Sequence, residues 1–553
     1  MVGQNTEGQS SSTFNLCDLF ELVVDAVPDR EAMVAGDRRL TYGELDCRAN
    51  RLAHHLLATG VRAGDHVGLQ LLNGTEYVEA MLAAFKIRAV PININYRYVG
   101  AELTHLFDDA DLVALVLHRQ FCPLVATAAV GLARLRRFVV VEDGTREADL
   151  EEAVSYEDAL ARSSPDRDFD RRSGDDLYCA YTGGTTGMPK GVLWRHEDIF
   201  FAALGGGDPL QSGTVIARPE ELVDRLFDPG MITLAAPPLM HVSAHWLAFV
   251  SLFSGGCLVV TPQGRFDPET IWTLVRREGV NVLVIVGDAM ARPLADALAA
   301  APDDYDTKTL MVIASGGAVL SPSTKEALSS LVPSALIVDG FGATETGTVG
   351  SRSTMPGSAI TEEGPRFTVN DQTTVLDDEL RPVVPGSGTT GRLARRGHIP
   401  LGYYNDPEKT AATFVETEGV RWVLPGDMAQ VEADGTVLLL GRGSESINTG
   451  GEKVYPEEVE TALKRCPAVF DAVVVGTPHQ RWGERVVALV QPRPGQRPTL
   501  EEIQSFCRTR MAGYKVPRQV ALVDEVFRFP SGKADYRWAR DQAGQLGATR
   551  KGT

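Results

Sequence analysis

Residues 181–192 read "YTGGTTGMPKGV", four glycines, three threonines and one lysine in twelve positions. They follow "DDLYCAY" (175–181), which reads as a strand. Glycines leave backbone N–H groups unobstructed, threonines add hydroxyl donors and Lys190 adds a positive charge, so the loop is suited to face phosphate oxygens. It is not a GxxxxGK[ST] loop, because Gly191 follows Lys190 where that motif needs a magnesium-binding hydroxyl.

On both sides of this loop, short apolar runs alternate with helical stretches. "HVGLQLL" (66–72), "LVALVL" (112–117), "RFVVVE", "MITLAA", "CLVVT", "NVLVIV", "LMVIAS" and "ALIVDG" read as strands, and "EYVEAMLAAF" (76–85) reads as one of the helices between them. Such alternation predicts an α/β fold whose parallel sheets are covered by helices on both faces. "LTYGELDCRANRLAHHLL" opens another helix. Thr41 and Glu44 have capping-box spacing, and Leu45, Leu52, Leu56 and Leu57 share one apolar face.

From about residue 372 the texture changes to short strands and Gly/Pro turns, which predicts a small β-barrel-like part of a large N-terminal domain. Beyond Gly441, two strands ("DAVVVG", "RVVALVQP") and a helix ("LEEIQSFCRTRMAGY") suffice for a small α+β C-terminal domain. The expected boundaries are a disordered polar tail at 1–12, a domain over 13–440, and a mobile domain over 441–553. The glycine-rich junction "LLLGRGSESINTGGEKV" would hold a hinge near 442–445.

The 553 residues carry a formal net charge of −19, which argues against nucleic acid or an anionic membrane as main partner. Seven widely spaced cysteines without a CxxC suit a reducing, cytoplasmic setting. The tail has neither a basic nor an apolar segment of a signal peptide. The most apolar stretch, "WLAFVSLFSGGCLVV" (246–260), is broken by Ser254-Gly255-Gly256 and reads as helix, turn and strand rather than a membrane span. His241 and His245 lie four apart but lack the glutamate of HExxH, and no GxSxG occurs in the chain.

Six further segments follow the phosphate loop in a fixed order: "PPLMHVSAHW" (237–246), "SGGAVLSP" (315–322), "DGFGATETG" (339–347), "LPGDMA" (424–429), "GRGSESINTGGEKVYPEEVE" (441–460) and "PSGKADYR" (530–537). Together with the loop they resemble the signature series of the adenylate-forming enzymes: acyl-CoA synthetases, firefly luciferases and peptide-synthetase adenylation domains. The resemblance covers nearly the whole chain.

That resemblance implies ATP, Mg²⁺ and CoA as co-substrates and cofactor. Thr182, Gly183, Gly184, Thr185, Thr186 and Lys190 would hold phosphate. Gly316, Gly317 and Ala318 would flank adenine, Asp339 would accept from its amino group beside Gly340, and Phe341 would stack on it. Asp427, reinforced by Arg442, can accept from both ribose hydroxyls. Thr344 can donate to the α-phosphate, and Glu345 offers a hard oxygen for Mg²⁺. Lys533 would bring a mobile charge to the attacking carboxylate, His241 would border it, and Gly450 and Gly451 would line the path of CoA. The acyl pocket is expected at Met240, His241, Trp246, Gly287 and Met290, with Asp288 as a helix N-cap.

Four positions depart from the family pattern: Gly183 for a serine, Phe341 for a tyrosine, Pro425 for a threonine, and Ser444 for a charged hinge residue. Within the family, "YTGGTTGMPKGVLWRHEDIF", "GDAMARPL" and "AGYKVPR" with "ADYRWA" look most like actinobacterial ligases that activate steroid side-chain carboxylates. A bulky hydrophobic acid such as a cholestenoate is therefore expected, with medium- or long-chain fatty acids as the alternative. A stand-alone adenylation domain and a non-catalytic nucleotide-binding module are more remote alternatives, and a homodimer stays open.

Overall fold

The computed structural model describes residues 13–98, 100–148, 150–182, 188–209, 213–262, 264–358, 365–449, 452–479, 482–529 and 532–548. The expected tail at 1–12 lies outside the described residues. Among them, the strands form three sheets.

The first sheet is parallel across its mostly apolar strands. Strands Glu31–Ala35, Cys257–Val260, Ile232–Ala235, Val282–Ile285, Val312–Ser315 and Leu336–Ala343 run side by side in that spatial order. Gly347–Thr354 then pairs antiparallel to Leu336–Ala343, and the sheet continues antiparallel through Arg366–Val369, Val437–Arg442, Asp427–Val431 and Gly391–Arg395. The short strands expected to form a barrel-like part therefore extend this sheet, which is mixed. The second sheet has a parallel centre, Val90–Asn93, His66–Gln70, Leu112–His118 and Arg137–Val141, and continues through the antiparallel pair Leu177–Thr182 and Lys190–Arg195 to the edge strand Gly402–Tyr403. The phosphate loop connects this pair.

The third sheet lies at the C-terminal end. Val469–His479 and Gly483–Pro492 pair antiparallel over a core of buried valines, and Gln519–Leu522 adds a parallel strand. The amphipathic helix Leu500–Arg508 packs Ile503 and Cys507 against this core, opened by a Thr499/Glu502 capping box.

Local chemistry explains the helix positions. Thr41 and Glu44 form the reciprocal cap of helix Tyr42–Ala58, which buries Leu45, Leu52 and Leu56. The break at Gly255-Gly256 separates helix Val242–Phe253 from strand Cys257–Val260. A Cβ on Gly256 would meet the Met231 carbonyl oxygen at 2.6 Å, so only glycine permits this approach. Among the described residues, no helix is long and apolar enough to cross a membrane.

Candidate active site

The helix Val242–Phe253 and the face of the first sheet form the two walls of a slot. Helix residues Val242, Ser243, Trp246, Leu247, Val250, Ser251 and Ser254 line it, steps of one and three that mark one face. Opposite are two in-register rows of strand residues: Thr233, Val282, Val312 and Leu336, and then Val284, Ala314 and Val338. Alternate residues face one side of a sheet, so the parallel strands present a nearly continuous apolar wall. The slot reaches back roughly 10 Å from the strand ends, about three residues at 3.3 Å each. It belongs to a cavity of about 2450 Å³, well above the 300–1,000 Å³ or so of a single small-ligand site.

The mouth of the slot lies at the C-terminal ends of these strands. Ser315 and Asp339 are register partners on adjacent strands, which brings Gly316, Gly317 and Ala318 beside Gly340 and Phe341. Gly317 takes a left-handed φ of +83°, which favours glycine in this turn. Phe341 stacks on Phe367 at 5.3 Å. Asp339 accepts a hydrogen bond from Lys325 Nζ at 2.7 Å; burial raises its carboxyl pKa, and the lysine opposes that rise. Asp427 opens strand Asp427–Val431, is buried, and pairs across the ladder with the backbone of Arg442.

The turn carrying Thr344 and Glu345 faces the same cavity. Trp194 Nε1 donates to the Thr344 carbonyl at 3.0 Å, and the Tyr403 hydroxyl donates to Glu345 Oε1 at 2.8 Å. A single carboxylate on this cavity would fit Mg²⁺, which keeps waters and substrate oxygens as its other ligands. Thr182 and Lys190 flank the phosphate loop and line the cavity, with Lys190 Nζ paired to Asp406. Gly183, Gly184, Thr185, Thr186, Gly450 and Gly451 lie outside the described residues.

His241 is the N-cap residue of the slot helix, and its buried Nε2 has no hydrogen-bond partner among the described residues. Burial pushes its pKa down to about 4, helped by the charges of Lys533 and Arg97. At neutral pH it is an uncharged donor or acceptor at the cavity wall. His245 is different: its two ring nitrogens face the hydroxyls of Tyr178 and Tyr77, both at 3.1 Å, deep in the core. Lys533 lines the cavity from the C-terminal part. Its loop turns at Gly532 (φ +73°), where a Cβ would meet Val286 Cγ1 at 2.6 Å, so the glycine seats the loop against the start of helix Gly287–Ala300.

Met240, His241 and Trp246 line the cavity. Gly287 and Met290 do not. Met290 packs into the core between helix and sheet, and the cavity residues of this segment are Ile285, Asp288 and Ala289. Asp288 does not cap its own helix either; its carboxylate accepts from the backbone N–H and hydroxyl of Ser321, which starts the next helix.

Residues 20–404 match the AMP-binding enzyme family, and residues 458–533 match the AMP-binding enzyme C-terminal domain. The chain belongs to the AMP-binding enzymes. This AMP-binding enzyme is 50% identical over 537 residues to a 3-oxocholest-4-en-26-oate–CoA ligase of Rhodococcus rhodochrous, covering 96% of each chain. It is 49% identical over 534 residues, again 96% of each, to a medium/long-chain-fatty-acid–CoA/3-oxocholest-4-en-26-oate–CoA ligase of Mycobacterium marinum. Among solved structures it resembles the anthranilate CoA ligase AuaEII in complex with anthranoyl-AMP (TM-score 0.83, 25% identity, 97% and 98% of the two chains).

Several residues of the site in this AMP-binding enzyme have no motif to announce them. Asn93 joins the end of strand Leu177–Thr182 to the slot, accepting from Tyr181 N and donating to the carbonyls of Tyr181 and Met240. Its only sequence signal is a polar residue inside the apolar run "VPINI". Lys325, Trp194 and Tyr403 are similar cases, separated in sequence from the residues they hold.

Proposed function

We propose that the chain activates a bulky hydrophobic carboxylic acid, a steroid side-chain carboxylate before others, and joins it to CoA through an acyl-adenylate. It is an AMP-forming acyl-CoA synthetase, an acid–thiol ligase. A carboxylate oxygen attacks the α-phosphorus of ATP, and the bond to the β-phosphate oxygen breaks to release pyrophosphate. The sulfur of CoA then attacks the acyl carbon, the acyl–oxygen bond breaks, and AMP leaves with the electron pair. The adenylate is needed because a free carboxylate is a poor acyl donor and AMP a good leaving group.

In this reading Asp339, Phe341 and Asp427 hold the nucleoside, and Gly316, Gly317 and Ala318 close over its base. Thr182, Lys190 and the loop between them hold phosphate. Thr344 donates to the α-phosphate oxygen, and Lys533 meets the charge that develops between carboxylate and phosphorus. Neutral His241 fixes the carboxylate at the mouth of the slot. Glu345 would hold Mg²⁺, which supplies charge neutralisation for the phosphates. Residues 13–440 and 441–553 act as two domains, and rotation near 442–445 would exchange Lys533 for the CoA-binding segment at Gly450 and Gly451. The net charge and free cysteines support a cytoplasmic enzyme without nucleic-acid partners.

The observation that carries the substrate class is the slot, whose rows of Val, Ala and Leu face Trp246, Leu247 and Val250 with no carboxylate along this apolar length among the described residues. Such walls favour a large apolar acid over acetate or an amino acid. A medium- or long-chain fatty acid is the second reading, supported by the relative named for both substrate types. The test is kcat/KM for a cholestenoate-type acid, palmitate, octanoate and amino acids. The steroid acid should lead and amino acids give no turnover; a clear preference for a straight chain would refute the steroid assignment and keep the ligase.

A further inference from the structure

Arg395 ends strand Gly391–Arg395 and borders the cavity, yet its side chain is almost wholly buried. Among the described residues no carboxylate pairs with it. Its Nη1 donates to the carbonyl oxygens of Thr346, at 2.6 Å, and Thr348, and reaches that of Ala202 at 3.5 Å, while Nε is buried with no partner among the described residues. Burial alone pulls its pKa down, to about 10, so it stays a cation at neutral pH. A buried charge answered only by carbonyl dipoles is costly to keep. An apolar side chain would fill the same core position without that cost, so the geometry calls for another reason.

The three acceptors supply it. Thr346 and Thr348 sit at the end of, and just beyond, the tight turn that carries Thr344 and Glu345. That turn is closed by Thr346 N to Ala343 O at 3.0 Å and Ala343 N to Thr346 Oγ1 at 2.9 Å. Ala202 lies in the last turn of helix His196–Ala203, where carbonyls lack helical partners and attract cations. Gly347, at φ +68°, presses so close to this helix end that a Cβ would meet the Ala202 oxygen at 2.6 Å. One guanidinium thus ties the turn to the helix. Trp194 holds the Thr344 carbonyl from one side and Tyr403 holds the Glu345 carboxylate from another.

We infer that Arg395 is a positioning residue of the adenylation step: it fixes the backbone from which Thr344 and Glu345 reach the α-phosphate and its metal ion. This deepens the proposed function and rests on it. Thioester formation from a preformed acyl-adenylate makes no new bond to phosphorus and depends less on this turn.

The test compares Arg395→Met, which keeps bulk and loses every donor, with Arg395→Lys, which keeps the charge. Acid-dependent pyrophosphate exchange reads adenylation, and thioester release from synthetic acyl-adenylate reads the second step. Arg395→Met should lose ~10²-fold or more in exchange, the range for a misplaced catalytic group, and need more Mg²⁺ for half-maximal rate. Its thioesterification should stay within about 3-fold, and Arg395→Lys should recover part of the exchange rate. Equal loss in both steps, or unchanged exchange in the folded Met variant, would overturn the inference. If the Met variant does not fold, the ratio of the two steps in Arg395→Lys decides in the same way. A wild-type protein without acid-dependent exchange would instead refute the proposed function.

Discussion

Lys464 Nζ lies 3.6 Å from Asp288 Oδ2, and both side chains are almost fully buried. This ion pair joins the C-terminal part of the chain to helix Gly287–Ala300 beside the slot. It continues as a series. Lys464 also faces Asp471 at 3.5 Å, Arg528 holds Asp471 through two nitrogens at 2.7 and 2.9 Å, and Arg528 Nη1 donates to the Gly532 carbonyl at 3.2 Å. The residue after Gly532 is Lys533. The series therefore links the slot to the loop of Lys533 through buried charges. Lys464→Met removes the central cation and leaves two carboxylates short of a partner, at a cost of about 3–5 kcal/mol for a broken buried pair. Adenylation should fall ~10-fold, in line with the fraction of molecules that keep the loop seated, and the melting temperature should drop. Unchanged adenylation would show that the loop is seated by other contacts.

Lys533→Ala separates the two chemical steps directly. Loss of a preorganised charge at the reacting centre costs ~10²-fold or more. Pyrophosphate exchange should fall by that amount, and thioester release from synthetic acyl-adenylate should survive. Equal loss in both would assign Lys533 a structural role.

The fold and the order of the motifs were legible because each rests on local chemistry. The Thr41/Glu44 cap, the Ser254–Gly256 break and the apolar strands depend on neighbours in sequence, and all appear as expected. What could not be read was which side of an element faces a partner distant in sequence. Met290 looked like pocket wall, but the helix turns it into the core and presents Asp288 and Ala289 to the cavity. Asp288 looked like a local cap, but Ser321 and Lys464 claim its carboxylate. Arg395, in a run of two arginines, gives no sign that one of them is buried.

The slot predicts a selectivity change. Val312 belongs to the inner row of strand residues, paired in register with Val282 and Leu336. Val312→Phe projects a ring into the far end of the slot. The kcat/KM of a steroid acid should fall ~10-fold or more, since even one methylene of pocket space is worth about 1–3 kcal/mol, while octanoate, too short to need this row, should change by less than ~3-fold. Equal effects on both would mean that the substrate does not reach this row.

Acid should weaken the fold through histidines held neutral. His196 accepts from Leu16 N–H at Nδ1 and meets the Leu177 carbonyl at Nε2, an arrangement that only the neutral ring satisfies. Burial lowers its pKa to about 4 from the usual 6.5, against the charge of Asp176. Between those values the unfolded chain takes up a proton that the folded chain refuses, so stability is kept above pH 6.5 and lost as pH falls towards 4. The loss is on the order of 3 kcal/mol at about 1.4 kcal/mol per unit. The stability advantage of wild type over His196→Gln, from denaturant melts, should therefore shrink from pH 7 to pH 4.5. A constant or growing advantage would contradict the neutral assignment.

The most direct test of the central claim follows the oxygen atoms. A steroid side-chain acid labelled with ¹⁸O in its carboxylate is incubated with the enzyme, MgATP and CoA, and the nucleotide product is analysed by mass spectrometry. If the carboxylate attacks the α-phosphorus and the thiol then displaces AMP, each AMP formed carries one ¹⁸O atom in its phosphate and appears with one thioester. Unlabelled AMP, or ADP and phosphate as products, would contradict an acyl-adenylate route.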